Sequence, residues 1–168
     1  MKTVLCSFCL KSGILCQKCS TRLKSGEISE TDLKIARLLL SLEEKYPSLQ
    51  NVNFHKAVEA GKALALIVGP GDVPRILGYG SRIIKALGEE TGKNIRVLEY
   101  GVNERKFLED LFAPLSIVTI NTIWLPDGST ETRAILRRRR GAPPFDINAL
   151  KEIALKVRGM TLRVEFSD

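Results

Sequence analysis

The chain has 168 residues, of which 44% are hydrophobic and 27% charged. This composition excludes disordered, collagen-like and membrane-spanning proteins. Its 26 basic residues outnumber 19 acidic ones, and the net charge of +7 indicates a polyanionic partner. A single histidine excludes a multi-histidine metal centre, and 6% aromatic residues allow few base-stacking platforms.

The first residues do not resemble a secretory signal. Met1 to Leu5 are followed at once by Cys6 and polar residues, so the apolar core of a signal peptide is missing. No apolar stretch approaches the roughly 18 residues that a membrane span needs. We therefore expect a cytoplasmic protein with no membrane association.

All four cysteines lie within the first 19 residues, as two C-x-x-C pairs: Cys6, Cys9, Cys16 and Cys19. Each pair can turn tightly and present two thiolates to one metal while backbone N–H groups donate to the sulfurs. Two disulfides or a redox pair are the alternatives, but a reducing cytoplasm disfavours disulfides and no thioredoxin-like elements flank the pairs. The spacing predicts one zinc ion, Zn2+, and its role is structural because four thiolates leave no open coordination position.

The zinc module is expected to occupy residues 1–28 as a ribbon or knuckle. Gly13 lets the short loop between the two cysteine pairs reverse. Because this segment is too short to hold a hydrophobic core, metal binding should supply its folding free energy.

The next elements are predicted from caps and hydrophobic periodicity. Ser29 caps a helix that continues to about Lys45. Strands follow over residues 52–59 and 63–68. The segment Gly69-Pro70-Gly71-Asp72 lacks the Gly-Lys-Ser/Thr of a nucleotide-binding loop, so it is a turn before a helix. Two short helices between residues 73 and 91 then surround a glycine-rich loop, and a strand covers residues 95–100.

The remaining residues repeat this order. Asn103 caps a helix that ends at Phe112, and strands are predicted over residues 116–125 and 130–138. Asp146 caps a helix to about Val157, and residues 161–166 alternate as a final strand. The similar element order indicates a duplication whose second copy is shortened.

The segment Ile76-Leu77-Gly78-Tyr79-Gly80-Ser81-Arg82-Ile83-Ile84 resembles the signature of KH domains, which is two aliphatic residues, G-x-x-G, two residues and an aliphatic one. The flanking strands and helices resemble the type II arrangement. Residues 98–101 and 106–114 are similar to the join between the tandem KH domains of archaeal NusA-like proteins. The resemblance implies an α+β fold in which two type II KH-like αββααβ units, over residues 29–101 and 102–168, follow the zinc module.

A KH loop clamps about four nucleotides, and a glycine-rich turn at a helix N-terminus lets a phosphate approach backbone N–H groups. The resemblance therefore implies an RNA-binding set around the loop, with Tyr79 available for base stacking: Arg75, Gly78, Tyr79, Gly80, Ser81, Arg82 and Lys85. The chain departs from the pattern in two places. Ser81 stands at the fourth loop position instead of glycine, and the second unit is degenerate because residues 140–145 replace its G-x-x-G.

Four consecutive arginines precede a Gly-Ala-Pro-Pro loop: Arg137, Arg138, Arg139 and Arg140. They are either a solvated strand end or a phosphate-binding patch, and the rigid loop after them favours phosphate contact. His55 is expected to be a surface or packed residue rather than a ligand. Trp124 is expected to pack in the core or the hairpin rather than to serve as a base platform.

The charge is concentrated at the ends of the chain, with +4 over residues 1–28, −1 over 29–128 and +4 over 129–168. The sequence offers no nucleophile with its base and no open metal position, so we expect a protein that is not an enzyme. Its expected partner is single-stranded RNA, with ribosomal RNA among the candidates. The NusA resemblance implies transcription elongation or termination, and KH folds also occur on the ribosome. The alternative is an adaptor that docks on RNA polymerase or the small ribosomal subunit.

Overall fold

The computed structural model describes residues 1–141 and 143–167, with only the backbone of Tyr79. The helices are α1 (Ser7–Ser12), α2 (Gln17–Lys24), α3 (Glu30–Glu43), α4 (Val73–Thr91), α5 (Glu104–Phe112) and α6 (Ile147–Arg158), with a 3-10 helix at Pro47–Asn51. The strands are β1 (Phe54–Ala60), β2 (Ala63–Val68), β3 (Asn94–Glu99), β4 (Ile117–Trp124), β5 (Thr130–Arg137) and β6 (Leu162–Ser167). Within this part of the chain, no helix combines the length and the apolar character needed to cross a bilayer.

The chain forms two compact units, one of Met1–Val58 with Leu64–Gly101 and one of Glu59–Ala63 with Val102–Asp168. Each has a three-stranded sheet, in the orders β1-β2-β3 and β4-β5-β6. The mixed α+β character expected from the sequence is confirmed.

The two sheets share one topology. A two-residue turn joins β1 to β2, so this pair is an antiparallel hairpin. The N–H of Tyr100, just after β3, donates to the C=O of Val68, the last residue of β2, at 2.7 Å, so β3 runs parallel to β2. In the second sheet, β4 and β5 are antiparallel and β5 and β6 are parallel. The repeat seen in the element order therefore extends to strand pairing.

The core of the first unit lies between α3, α4 and the sheet. All six residues of β2 are buried. The hydrophobic core of this unit also includes Leu5, Leu10 and the side chains of Cys9 and Cys19. The cysteine segment therefore packs on the core that it shares with the rest of the first unit.

Asp32 joins the start of α3 to the sheet. The Ser29 hydroxyl accepts from the Asp32 N–H at 3.0 Å and the Ser29 N–H donates to Asp32 Oδ2 at 2.9 Å, which is a reciprocal capping box. The Ala57 N–H on β1 donates to Asp32 Oδ1 at 2.7 Å. Asp32 and Ala57 are both almost fully buried, so this carboxylate satisfies a backbone donor that has little access to water.

The second unit packs α5 and α6 against its sheet. The buried side chains include Phe107, Leu108, Leu111, Phe112, Ala134, Leu136, Ala149, Leu150, Ile153, Ala154 and Leu162. The predicted caps are confirmed, since the Asn103 side chain accepts from the Lys106 N–H and the Asp146 side chain accepts from the N–H groups of Asn148 and Ala149.

Candidate functional site

Each C-x-x-C pair begins a short helix. Cys6 is the residue before α1 and Cys16 the residue before α2, so the cysteine pairs lie on two short helices rather than on a β ribbon. Gly13 ends α1 with φ +75° and lets the chain turn toward the second pair, as predicted. The local fold thus brings both pairs to one place.

The four sulfur atoms form a compact cluster in which all Sγ atoms lie within 4.8 Å of one another. Cys6 Sγ is 3.3 Å from Cys9 Sγ and 4.0 Å from Cys16 Sγ. A disulfide needs about 2.05 Å, so these are free thiols. Four tetrahedral ligands with metal–sulfur bonds of about 2.3 Å are about 3.8 Å apart, which matches this spacing. The four cysteines could therefore hold a metal ion.

Backbone N–H groups stabilise the thiolates unequally. The N–H of Cys19 lowers the pKa of the Cys16 thiol to about 7, and the N–H of Cys9 lowers the pKa of Cys6. Cys9 Sγ also accepts a backbone bond, from the Cys16 N–H at 3.0 Å, but burial and the three neighbouring sulfurs raise its pKa to about 12. Four adjacent thiolates repel one another, and a shared cation removes that repulsion.

The glycine-rich segment lies inside α4. Gly80 and Ser81 have φ +64° and +63°, which no residue of a right-handed helix adopts. The predicted loop between two helices is therefore a two-residue break, between helical halves at residues 73–79 and 82–91. Ile76 and Ile83 are fully buried, one in each half, so the core holds both sides of the break.

The predicted basic residues around the break differ in their surroundings. Arg82 and Lys85 are exposed and have no acidic partner among the described residues. The Arg75 guanidinium instead donates to Asp72 Oδ1 at 2.5 Å, and Asp72 is buried and accepts from the Asn53 N–H at 2.8 Å. Arg75 is thus held by a structural ion pair. The Tyr79 side chain, predicted to stack on a base, lies outside the described residues.

Ser81→Gly should stabilise the protein by about 0.5–1 kcal/mol. A left-handed conformation costs a non-glycine residue roughly 1–2 kcal/mol, and the greater freedom of glycine in the unfolded chain offsets part of that gain. Ser81 is the one non-glycine residue with positive φ among those described, and its side chain is exposed. Urea unfolding measures the change.

Ser41→Gly is the matched control for this substitution. Ser41 is exposed in the right-handed α3, where glycine should lower the free energy of unfolding by about 0.5 kcal/mol. If both glycine variants lowered the free energy of unfolding equally, the argument from the left-handed backbone at residue 81 would be contradicted.

The arginine run belongs to the second unit. Arg137 ends β5 and the next three arginines follow it, and all four are exposed without an acidic partner among the described residues. Arg138, Arg139 and Arg140 line a cavity of about 500 Å³ whose apolar wall comprises Leu115, Pro143, Pro144 and Phe166. Arg137 is not part of this lining. The sequence singled out the arginines and the proline loop that follows them, but not Leu115 and Phe166, which are distant from them along the chain.

Aromatic residues are placed partly as expected. Trp124 is 75% exposed at the end of β4, so the prediction that it packs in the core or hairpin is wrong. Its cross-strand partner, Thr130, is too small to cover an indole ring. His55 is exposed and stacks on Tyr100 with ring centroids 4.6 Å apart, in agreement with a surface position.

Comparisons with known proteins place the chain at a distance from its relatives. No protein-family profile matches it. It is 29% identical over 96 residues to the probable transcription termination protein NusA of Methanocaldococcus jannaschii. The matched region covers 54% of this chain and 51% of that protein. The chain thus spans about half the length of this curated relative, and it is a distant homologue of a NusA protein.

A solved structure shares the fold. The crystal structure of APE1850 matches 78% of this chain and 96% of that chain, with a TM-score of 0.50 and 20% sequence identity. At this identity the likeness concerns the fold alone.

Proposed function

We propose that the protein binds single-stranded RNA through the break in α4 and acts in transcription elongation or termination as a non-enzymatic, cytoplasmic factor. The observation that carries the proposal is the left-handed pair Gly80–Ser81. It begins a new helical half whose N-terminal N–H groups and positive dipole end favour a phosphate. The distant NusA relationship supports the transcription setting. Two KH-like units, over residues 29–101 and 102–168, are part of the proposal.

Within this proposal, the residues at the break have different roles. Gly78 and Gly80 let the RNA backbone approach the chain. The exposed Arg82 and Lys85 add charge to the phosphate contact. Arg75 positions the start of α4 through its ion pair with Asp72. The run Arg137 to Arg140 is a second phosphate-binding patch.

The proposal includes one structural zinc ion bound by the four cysteine thiolates. The spacing of the sulfurs and the backbone N–H bonds to Cys9 and Cys16 support it. An all-thiolate donor set favours zinc over harder cations. When bound, the ion ties α1 to α2 and so orders a segment with a net charge of +4.

The test of the RNA proposal is Gly78→Asp. A Cβ at Gly78 meets no atom within 4 Å, and its φ is not positive, so the substitution leaves the fold intact. The new carboxylate stands where the phosphate would bind, and we expect the affinity for a short single-stranded RNA to fall about tenfold or more through like-charge repulsion. Fluorescence anisotropy of a labelled decanucleotide over a salt series measures it.

Gly78→Asn is the matched control, because asparagine has nearly the shape of aspartate without its charge. It should retain most of the RNA affinity. If the two variants bind RNA equally, or if the unmodified protein binds none at low salt, the α4 break is not an RNA site.

A second candidate function is an adaptor on RNA polymerase or the small ribosomal subunit. The observation that favours it is the exposure of Phe8 (63%) and Ile14 (70%) beside the cysteine cluster, where large apolar side chains are available to a protein partner. RNA binding that Gly78→Asp abolishes would favour the first function. Retained polymerase or ribosome binding without RNA affinity would favour the adaptor.

A further inference from the structure

The cavity beside the arginine run has a specific place in the second sheet. Arg138 to Arg140 directly follow β5, and Phe166 lies near the end of β6, paired with Leu136 of β5. Because β5 and β6 are parallel, the cavity lies at the carboxyl ends of two adjacent strands. The parallel pairing thus brings Phe166, which is distant along the chain, to the same end of the sheet as the arginines.

The lining of the cavity combines two chemically different sets of residues. One set is Arg138, Arg139 and Arg140, which are exposed and have no carboxylate partner among the described residues. The other set is apolar and includes Phe166 and two adjacent prolines, Pro143 and Pro144. Planar guanidinium groups suit phosphate oxygens, and flat apolar side chains suit an aromatic ring. The two sets together match a phosphate joined to a heteroaromatic base.

We propose that this cavity binds one nucleotide, with its phosphate on the arginines and its base against Phe166 and the prolines. Its volume of about 500 Å³ lies in the range of small-ligand pockets. No carboxylate lines it among the described residues, which disfavours amines and metal cations. A purely apolar ligand would leave three cationic groups without a counter-charge. The nucleotide is either an unpaired residue of RNA or a free nucleotide, and both present the same phosphate and base to the cavity. The assignment to RNA rests on the function proposed above.

The experiment titrates the full-length protein with AMP and, separately, with inorganic phosphate, followed by NMR chemical shifts. We expect AMP to bind at least fivefold more tightly than phosphate, since the base adds its own contact. Phe166→Leu should remove most of that difference, because leucine keeps the site apolar but cannot stack. Equal affinities for AMP and phosphate in the unmodified protein would overturn the proposal.

Arg139→Gln and Lys62→Gln form a matched pair, because each removes one exposed positive charge from the second unit. Of these two residues, Arg139 lines the cavity and Lys62 does not. Arg139→Gln should weaken AMP binding about tenfold, while Lys62→Gln should change it less than twofold. Equal losses of affinity would mean that AMP responds to the diffuse positive charge of the unit, and the nucleotide site would be rejected.

Competition with a single-stranded RNA hexamer distinguishes the two sources. Displacement of AMP by the hexamer identifies an unpaired RNA residue as the occupant, and its failure to displace AMP identifies a free nucleotide.

Gly78→Asp should leave AMP affinity unchanged. If the protein binds AMP but no RNA, the RNA function is rejected and the cavity site is kept. If the protein binds RNA in a way that depends on Gly78 but does not bind AMP, the cavity site is rejected and the RNA function is kept.

Discussion

Cys16→Ser should reduce bound zinc from about one equivalent to none, since a serine hydroxyl does not replace a thiolate in a four-cysteine site. Cys16 is a suitable position for this test. Cys9 and Cys19 are buried in the core of the first unit, where serine is destabilising with or without a metal, but Cys16 is only partly buried. Elemental analysis of the purified protein measures the zinc content.

Zinc binding should also appear as stability, because the ion binds only the folded arrangement. A chelator should lower the unfolding temperature of the unmodified protein and leave that of Cys16→Ser unchanged. Amide exchange should increase in α1 and α2 and little in β2, because β2 is buried in the core without contribution from the metal. Affinity for zinc should fall as the pH falls, because protons compete for the thiolates.

Gln17→Ala is the control for this prediction, since Gln17 is the exposed neighbour of Cys16 and its side chain has no role in the cluster. It should keep full zinc content. A folded, metal-free protein with native stability would contradict the four-thiolate site.

Asp32→Ala should lower the free energy of unfolding by about 3 kcal/mol. The substitution removes the capping carboxylate of α3 and leaves the N–H groups of Ser29 and Ala57 without their acceptor. A buried unsatisfied donor costs about 1–3 kcal/mol and the loss of a helix cap about 1 kcal/mol. Urea unfolding monitored by circular dichroism measures the loss.

Glu30→Ala is the comparison, because Glu30 is an exposed acidic residue in the same helical turn. Its loss should cost less than about 0.5 kcal/mol. The loss of free energy of unfolding for Asp32→Asn should lie between those of the two alanine variants, since the amide keeps one oxygen acceptor. Similar costs for Asp32→Ala and Glu30→Ala would show that the bonds of this carboxylate do not stabilise the fold.

Caps and periodicity determined most of the regular structure. Ser29, Asn103 and Asp146 were predicted as helix caps, and each side chain accepts a backbone hydrogen bond as expected. The strand over residues 63–68 was predicted with the bounds that the structure has. These features depend on residues a few positions apart, so a short sequence window contains the interactions that decide them.

The helices α1 and α2 were not predicted. They are short and polar, and they depend on contacts that a local pattern does not reveal. Sulfur atoms accept the N–H groups of Cys16 and Cys19, and Leu10 packs into the core of the first unit. Tertiary packing outweighs weak helix propensity in such segments.

The sequence by itself determined the α+β class, the order of the elements and the convergence of four cysteines, because spacing and periodicity are local properties. Only the tertiary structure decided the surroundings of individual side chains. It paired Arg75 with Asp72, exposed Trp124 and placed Phe166 in the cavity lined by Arg138 to Arg140. Burial and cavity walls depend on the final packing of elements that are distant along the chain, and no local window contains that information.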